Sequence, residues 1–236
     1  MRIAIISDIH GNQLALEAVL RDLEGQPSCD QLVIAGDLCL NGPRPREVLQ
    51  IIQELECPVL QGNVDLETAT PAPEKGKKRQ STVSWTREQI GTAGIEYLAH
   101  LPFSHQVTTP DNSALLIVHA NPLNQEDALF PNADDSTLEG LLGSLDPRIE
   151  ALAFGHLHIA YTRRWRDLLL VDVASCGAPR DEDQRAAYGI ISWQDGHWDA
   201  EIRRVQYDVQ AVVKQIKSCG MPNVEKRIKV LLEARY

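Results

Sequence analysis

The chain of 236 residues contains 43% hydrophobic and 24% charged residues, the usage of a folded globular protein, and its length suits one large domain or two small ones. It has 23 Lys and Arg against 33 Asp and Glu, a formal net charge of −10, which disfavours nucleic-acid binding or nuclease action because a basic surface is absent overall. Five widely spaced cysteines without a CxxC pair favour reduced thiols, and no apolar run reaches the ~18–20 residues that span a bilayer, so we predict a cytoplasmic protein with no membrane segment.

Three apolar, β-rich runs occupy the first sixty residues, at Arg2–Ile6, Gln31–Ala35 and Pro58–Leu60. The first two are followed by apolar residues at the i, i+3, i+4, i+7 spacing of a helix, and Pro45 suits the first turn of the second one. Strands that alternate with helices predict βαβ units and a parallel sheet. The helical positions are Leu16, Val19, Leu20 and Leu23, then Val48, Ile51, Ile52 and Leu55.

The middle of the chain begins with a polar, basic insertion at about 67–83, which we predict to be a mobile loop because it holds two prolines and the run EKGKKRQ. Ser136 and Glu139 have the spacing of a capping box at the start of a helix. The other elements predicted here are a helix over Trp85–Leu101 and strands at Ala114–Val118 and Ala151–Phe154.

From Tyr161 onwards the pattern becomes that of β-strands. A strand is predicted at Leu168–Val173, and the runs at 188–193 and 198–202 flank Asp195-Gly196, a strong hairpin signal. A C-terminal helical extension covers about 207–236, and its basic residues are interpreted as a solvated helical face. We expect one domain over residues 1–236, with two sheets packed face to face and helices outside.

Polar side chains follow five predicted core strands at the point where each strand ends. In open α/β sheets the carboxyl ends of the strands lie along one edge, where ligands bind, so these residues converge there. Each one alone has an ordinary interpretation as a turn residue or a helix cap. Together they predict a metal centre, because burying so many polar groups without a partner is costly. The candidate ligands are Asp8, His10, Asp37, Asn63, His119, His156 and His158.

The candidate ligands offer oxygen and nitrogen atoms and no thiolate, which suits Mn, Fe, Zn, Co or Ni, with manganese as the first choice. Seven ligands are more than one tetrahedral ion takes. Two ions about 3.5–4 Å apart, bridged by one carboxylate, would use them all, and such a pair clamps a phosphoryl oxygen. The sequence therefore predicts two divalent ions and a small phosphorylated substrate.

The same residues stand in motifs that resemble those of the calcineurin-like dinuclear metallophosphoesterases, and in particular their small bacterial branch. The resemblance runs from residue 1 to about 205. The motifs that carry it are Ser7-Asp8-Ile9-His10-Gly11-Asn12, Gly36-Asp37-Leu38 with Asn41-Gly42-Pro43, Gly62-Asn63, His119, Gly155-His156-Leu157-His158, and Pro179-Arg180-Asp181 with Arg185-Ala186-Ala187-Tyr188.

The resemblance implies a four-layer α/β/β/α sandwich of two mixed β-sheets and hydrolysis by attack of a metal-bound hydroxide on phosphorus. Asp37 and Asn63 would take part in catalysis, and Arg180 would lie near the substrate. The implied ligand sets are Asp8, His10 and His158 for one ion, Asn63, His119 and His156 for the other, and Asp37 as the bridge.

The sequence departs from the family pattern at one position. The family commonly reads Gly-Asn-His-Asp or Glu, whereas here Val64 stands where a histidine often protonates the leaving group, and Asp65 loses the task of orienting it. Two hypotheses follow. The first is a phosphoesterase acting on a phosphodiester or a pyrophosphate-linked, nucleotide-like small molecule. The second is a metal-containing protein of the same fold that binds phosphorylated ligands or a partner with little turnover. The sequence leaves the substrate, the native metal and the oligomeric state open.

Overall fold

Two mixed β-sheets form the centre of the computed structural model, which describes residues 1–70 and 77–235. The strands in these ranges are β1 Arg2–Ile6, β2 Gln31–Ile34, β3 Ser104–Thr108, β4 Ala114–Val118, β5 Ile149–Phe154, β6 Tyr161–Trp165, β7 Leu168–Asp172, β8 Ala186–Gln194 and β9 His197–Val205. The helices are α1 Gln13–Glu24, α2 Pro45–Glu54, α3 Asn63–Ala69, α4 Lys77–Ala99, α5 Asp135–Leu142, α6 Val209–Ser218 and α7 Val224–Glu233.

The first sheet has the strand order β2-β1-β8-β9 and the second has the order β3-β4-β5-β7-β6. Strand β1 pairs in parallel with β2, and β5 pairs in parallel with β4 and β7, while the remaining pairs are antiparallel. The parallel strands of each sheet therefore deliver their carboxyl ends, and the loops that follow, to one edge.

Successive side chains of a strand point to opposite faces of the sheet, so the apolar residues form three layers of core. Ile3 and Ile5 of β1 pack with Ile117 and Val171 of the other sheet, so the two sheets bury each other's inner faces. Ile6 lies on the opposite face of β1, where α1 and α2 cover it. Helix α5 covers the outer face of the second sheet around Phe154. The predicted α/β/β/α sandwich is confirmed.

Local signals explain several boundaries. The Asn12 side chain accepts a hydrogen bond from the amide of Ala15 (3.2 Å) and caps α1. Asp195 and Gly196 both have positive φ (53° and 80°), as a tight β8–β9 hairpin turn requires. The capping box predicted at Ser136 is wrong. The cap is Asp134, whose carboxylate accepts from the Thr137 amide at 2.8 Å, so the cap of α5 lies two residues earlier than predicted.

The predicted loop at 67–83 needs correction at both ends. Helix α3 runs through Ala69, and α4 begins at Lys77, well before the predicted start at Trp85; residues 71–76 of the predicted loop lie outside the described residues. Helix α4 is interrupted at Gly91, which has φ 66° and ψ −178°. The third apolar run contributes one isolated bridge, Ile34 to Val59, in place of a full strand. Among the described residues, no helix is both long and apolar enough to cross a bilayer.

Candidate metal centre

The loops that follow the parallel strands bring all seven predicted ligands to one edge of the sandwich. Loop β1–α1 carries Asp8 and His10, and the loop after β2 carries Asp37. Asn63 is the first residue of α3, and His119 follows β4 directly. The two remaining histidines, at 156 and 158, follow β5. Backbone hydrogen bonds tie these loops together, among them Asp8 N to Gly36 O (3.0 Å) and Gly155 N to His119 O (2.9 Å).

Five of the seven residues have a left-handed backbone: Asp8 (φ 55°), His10 (49°), Asp37 (57°), His156 (70°) and His158 (63°). Each such conformation in a non-glycine residue costs about 1–3 kcal/mol and persists only where the surroundings impose it. These conformations end the extended course of β1 and β5 and begin the loops that carry the predicted ligands to the sheet edge.

Two glycines let the carboxylates sit against backbone. A Cβ added at Gly62 would lie 2.0 Å from Asp37 Oδ1, and one added at Gly155 would lie 2.2 Å from Asp8 Oδ2. Any side chain at either position would displace a carboxylate. The glycines of the Gly62-Asn63 and Gly155-His156 motifs are therefore required by close approach.

The first group of ligand atoms comprises Asp8 Oδ1, His10 Nε2, His158 Nε2 and a carboxylate oxygen of Asp37, which all lie within 4.8 Å of one another. Asp8 Oδ1 is 3.0 Å from His158 Nε2 and 3.7 Å from His10 Nε2. This oxygen is fully buried and accepts no hydrogen bond, whereas Oδ2 accepts from Ser7 Oγ (2.7 Å) and from the His156 amide (2.9 Å). The geometry leaves Oδ1 directed at the centre of the group.

The second group lies on the other side of Asp37. Oδ2 of this residue faces His10 Nε2 at 3.7 Å, while Oδ1 lies 3.4 Å from His119 Nε2. His119 Nε2 is also 3.1 Å from Asn63 Oδ1 and 3.3 Å from His156 Nδ1. Asp37 thus presents one oxygen to each group, as a bridging carboxylate would.

All four histidines hold one ring nitrogen against a backbone carbonyl. Because a carbonyl oxygen only accepts, that nitrogen carries the ring proton, and the other nitrogen of a neutral imidazole offers a lone pair to the site. The contacts are His10 Nδ1 to Leu40 O (2.9 Å), His119 Nδ1 to Ala35 O (2.9 Å), His158 Nδ1 to Ala178 O (2.5 Å) and His156 Nε2 to Glu126 O (3.0 Å).

The inward nitrogens consequently face each other in pairs, with His10 Nε2 3.1 Å from His158 Nε2 and His119 Nε2 3.3 Å from His156 Nδ1. Two lone pairs at these separations repel unless a cation lies against both. The donor set of imidazole nitrogens and carboxylate oxygens is the one that Mn, Fe, Zn or Co takes. The residues therefore fit divalent metal ions.

Burial and charge perturb the titration of the same groups. Burial, together with the neighbouring carboxylates Asp8 and Asp65, raises the pKa of Asp37 to about 8 against the attraction of His119. Burial also raises the pKa of Asp8, but the surrounding histidines, His158 first, hold that pKa below its ordinary value. Burial and the adjacent His119 lower the pKa of His156 to about 4. Two buried carboxylates side by side form a site whose charge a cation would balance.

Asp65 has a role that the sequence did not predict. It is fully buried, and its carboxylate accepts from the backbone amides of Asp37 (2.7 Å) and Gly62 (3.0 Å) on Oδ2 and of Leu38 (2.9 Å) on Oδ1. It therefore fixes the left-handed turn at Asp37 and the start of α3 together. An acidic residue in the first turn of a helix is the signal that would have found it, but α3 itself was not predicted.

Val64 and Arg180 occupy different surroundings. Val64 packs in an apolar cluster with Leu40 and Val83, so it offers no proton-donating group. Arg180 is half-buried, its amide donates to the His158 carbonyl (2.9 Å), and its charge helps burial and His158 to lower the pKa of His10. The predicted substrate-side arginine is thus adjacent to the first group of ligand atoms.

Comparison with known proteins decides the family, since the sequence model of the calcineurin-like phosphoesterase superfamily domain matches residues 1–196. The chain belongs to the calcineurin-like phosphoesterase superfamily. Membership supports a phosphoester hydrolase, and the buried Asp and His cluster supports divalent metal binding. The sequence resemblance to this superfamily is confirmed.

Several known proteins are similar to this chain. An uncharacterized protein of Methanocaldococcus jannaschii is 27% identical over 93% of both chains. The symmetrical bis(5'-nucleosyl)-tetraphosphatase of Erwinia tasmaniensis is 29% identical over 59% of this chain and 52% of its own length. Among solved structures, a metallophosphoesterase from Sphaerobacter thermophilus has a TM-score of 0.80 at 25% identity and covers 99% of both chains. A hypothetical protein from Pyrococcus horikoshii shares the fold, with a TM-score of 0.85 at 22% identity over 99% of this chain and 98% of its own.

Proposed function

We propose that the protein is a metal-dependent phosphoesterase with two ions at the sheet edge. Asp8, His10 and His158 would hold one ion, Asn63, His119 and His156 would hold the other, and Asp37 would be shared between them. The observation that carries this proposal is the pairing of inward imidazole nitrogens at 3.1 and 3.3 Å on the two sides of one buried carboxylate.

When bound, two such ions polarise a phosphoryl oxygen and make a water nucleophile available near neutral pH. The chain supplies the geometry. The backbone carbonyls fix each imidazole ring, and the Asp65 carboxylate fixes the turn that carries Asp37. Arg180, beside His158, binds a phosphoryl oxygen of the substrate, for which a planar guanidinium is well suited. In this proposal residues 1–236 act as one domain, because β8 and β9 complete the sheet that β1 and β2 begin.

The proposed substrate is a small phosphodiester or a pyrophosphate-linked molecule. Support comes from the relative named a bis(5'-nucleosyl)-tetraphosphatase. A solved structure of a putative diadenosine tetraphosphatase shares the fold, with a TM-score of 0.52 at 20% identity. Manganese is the proposed metal, since the donors are oxygen and nitrogen atoms.

Reconstitution with Mn²⁺ tests the proposal. We expect two metal equivalents per chain by elemental analysis after desalting, and hydrolysis of bis(p-nitrophenyl) phosphate. Asp37→Asn removes the shared charge, so both ions should bind more weakly. Loss of a residue that only orients a ligand typically lowers activity about 10–100-fold, and Asp37→Asn should lower it by more than that. The exposed Asp167→Asn, in the β6–β7 turn, is the matched control. Failure to retain any metal would contradict the assignment.

The second candidate function, binding of a phosphorylated ligand with little turnover, is favoured by Val64 alone. A positioned general acid contributes about 10²–10⁴-fold, and Val64 cannot be one. We therefore expect the hydrolysis rate of the Mn²⁺-loaded protein to depend steeply on leaving-group pKa, with nitrophenolates far better than alkoxides. A flat dependence with chemistry rate-limiting would reveal another acid, whereas no turnover of activated esters would leave the binding function.

A further inference from the structure

A narrow cavity opens beside the first group of ligand atoms. His10 and His158 form one side of it, and Arg180, Asn41 and Arg227 lie around it. The space that the centre of a water molecule can reach is about 40 Å³. A single water needs at least 10–15 Å³ by this measure, so the cavity has room for a small charged group.

The charge of the cavity differs from that of the chain as a whole. None of the described residues that line it is an aspartate or a glutamate, although the chain has a net charge of −10. Two arginines from distant parts of the sequence are present, and α6 and α7 add apolar residues such as Ile216 and Leu231 to the lining. A cationic cavity with an apolar wall selects an anion and strengthens its attraction by excluding water.

Arg180 is placed by the metal-site loops. Its amide donates to the carbonyl of His158 (2.9 Å), and the preceding Gly177 amide donates to the carbonyl of Asp8 (3.0 Å). The Asn12 side chain, which caps α1, holds the Gly177 carbonyl at 2.9 Å. Arg180 is therefore fixed relative to the proposed ligands of the first ion.

Arg227 is placed by the C-terminal helices. Helix α7 is tied to α4 at its start, where Asn223 Nδ2 donates to Thr82 Oγ1 (3.0 Å), and to the loop after Arg180 at its end, where the Glu182 amide donates to the Ala234 carbonyl (2.9 Å). The Arg227 guanidinium donates to the side-chain oxygen of Asn41, which orients it beside the cavity. Arg227 lies beyond residues 1–196, the part of the chain that the family model matches.

We propose that this cavity binds a second phosphoryl group of the substrate, next to the one that is hydrolysed, and that Arg180 and Arg227 are its ligands. The inference rests on the proposed function, since the cavity adjoins the proposed metal pair. Two guanidinium groups match the oxygens of a phosphate better than one point charge does. The substrate class is therefore pyrophosphate-linked, and the C-terminal helices determine that preference.

Calorimetric binding of two hydrolysis-resistant anions to the Mn²⁺-loaded protein tests the proposal. Methylenediphosphonate carries a second phosphonate, and methylphosphonate lacks it. Arg227→Gln should weaken the diphosphonate about 10–100-fold, the size of a lost hydrogen bond to a charged group, and the monophosphonate much less. Arg180→Gln, on a separate loop, should reduce the preference for the diphosphonate in the same direction. Arg148→Gln, which removes an exposed arginine paired with Asp146 at 2.6 Å, should keep the wild-type preference.

Circular dichroism checks that each variant folds. If Arg227→Gln does not fold, Arg227→Lys, which keeps the charge, replaces it in the titration. Arg227→Lys should lose part of the preference for the diphosphonate. An unchanged ratio of the two dissociation constants in both folded Arg227 variants would overturn the proposal. The titration is repeated in chelator. Diphosphonate binding that depends on Arg227 without any retained metal would uphold this subsite while the metal assignment fails. Loss of Arg227 dependence in both conditions would refute the subsite whatever the metal content.

Discussion

The loops at the sheet edge and the C-terminal helices both border the cavity beside His10 and His158, but they hold their side chains by different means. At the sheet edge, left-handed backbone, close glycine contacts and hydrogen bonds between loops fix each ligand atom. The helices α6 and α7 are regular and are held mainly by an apolar cluster around Val212, Ile216 and Met221. Substitutions in the first region should therefore cause a large loss of activity, whereas substitutions in the second should cause a smaller one.

Among variants that keep every proposed ligand, the largest effect is expected from Asp65→Asn, which alters the sheet edge. One carboxylate oxygen becomes an amide NH₂ that must face a backbone N–H, because all three contacts of Asp65 are with donors. We expect activity to fall about 10–100-fold and stability by about 1–3 kcal/mol. The measurements are turnover of an activated diester and urea unfolding. Asp135→Asn, an exposed acid in the first turn of α5, is the control and should change neither.

A smaller effect on function is expected in the helical region. Met221 is 3% exposed and packs between α6 and α7 without lining the cavity. Met221→Ala should lower the free energy of unfolding by about 2–3 kcal/mol through the cavity that it leaves. The number of retained metal equivalents should stay at the wild-type value, since Met221 is not a proposed ligand and does not line the cavity beside the ligands. Loss of metal in the folded variant would show that the two regions are not independent.

The smallest effect concerns pH and separates the regions without mutation. The pKa of Asp37 is about 8 in the folded chain against an ordinary 3.8, so the folded state keeps a proton that the unfolded state has lost. Stability from this group is complete at low pH and is lost as pH rises toward 8. His156, with a pKa of about 4 against 6.5, acts in the opposite sense only below pH 6.5.

In chelator, the free energy of unfolding should therefore fall by about 2 kcal/mol between pH 6.5 and pH 8. Urea titrations at three pH values in this window measure it. With Mn²⁺ present the trend should reverse, because metal binding requires the ionised carboxylate and becomes tighter as the proton is lost. A chelated protein whose stability is flat across the window would mean that Asp37 is already ionised at pH 6.5.

The sequence could predict most of the strands, and which proposed ligands meet at one sheet edge, for one physical reason. Buried strands are short apolar runs, and residues such as Asp37 and His119 come within three residues of their ends. Predicting the strands therefore also predicts which residues lie together at the site. The short helix α3 was missed because its seven residues contain too few apolar positions to show helical periodicity. The structural role of Asp65 could not be predicted because its carboxylate accepts from backbone amides of another loop. Such contacts do not appear in the pattern of side chains along the sequence.

Arg227 is a second residue whose role could not be predicted from the sequence. The basic residues of the C-terminal extension were interpreted as a solvated helical face, and most of them are exposed, but Arg227 is half-buried and bonded to Asn41. Helical periodicity places a residue on a face, whereas the partner of that face depends on tertiary packing. Only the fold shows that this face meets the loop after β2.

The Asp65 carboxylate gives the molecule a distinctive pattern of local opening. The amides of Asp37, Leu38 and Gly62 all donate to it, although they belong to two separate loops. In hydrogen–deuterium exchange these three amides should therefore lose protection together, in one cooperative event, because none can open while the carboxylate holds the others. The first turn of α3 cannot fray alone, and any fluctuation that frees it also releases the turn that aims Asp37.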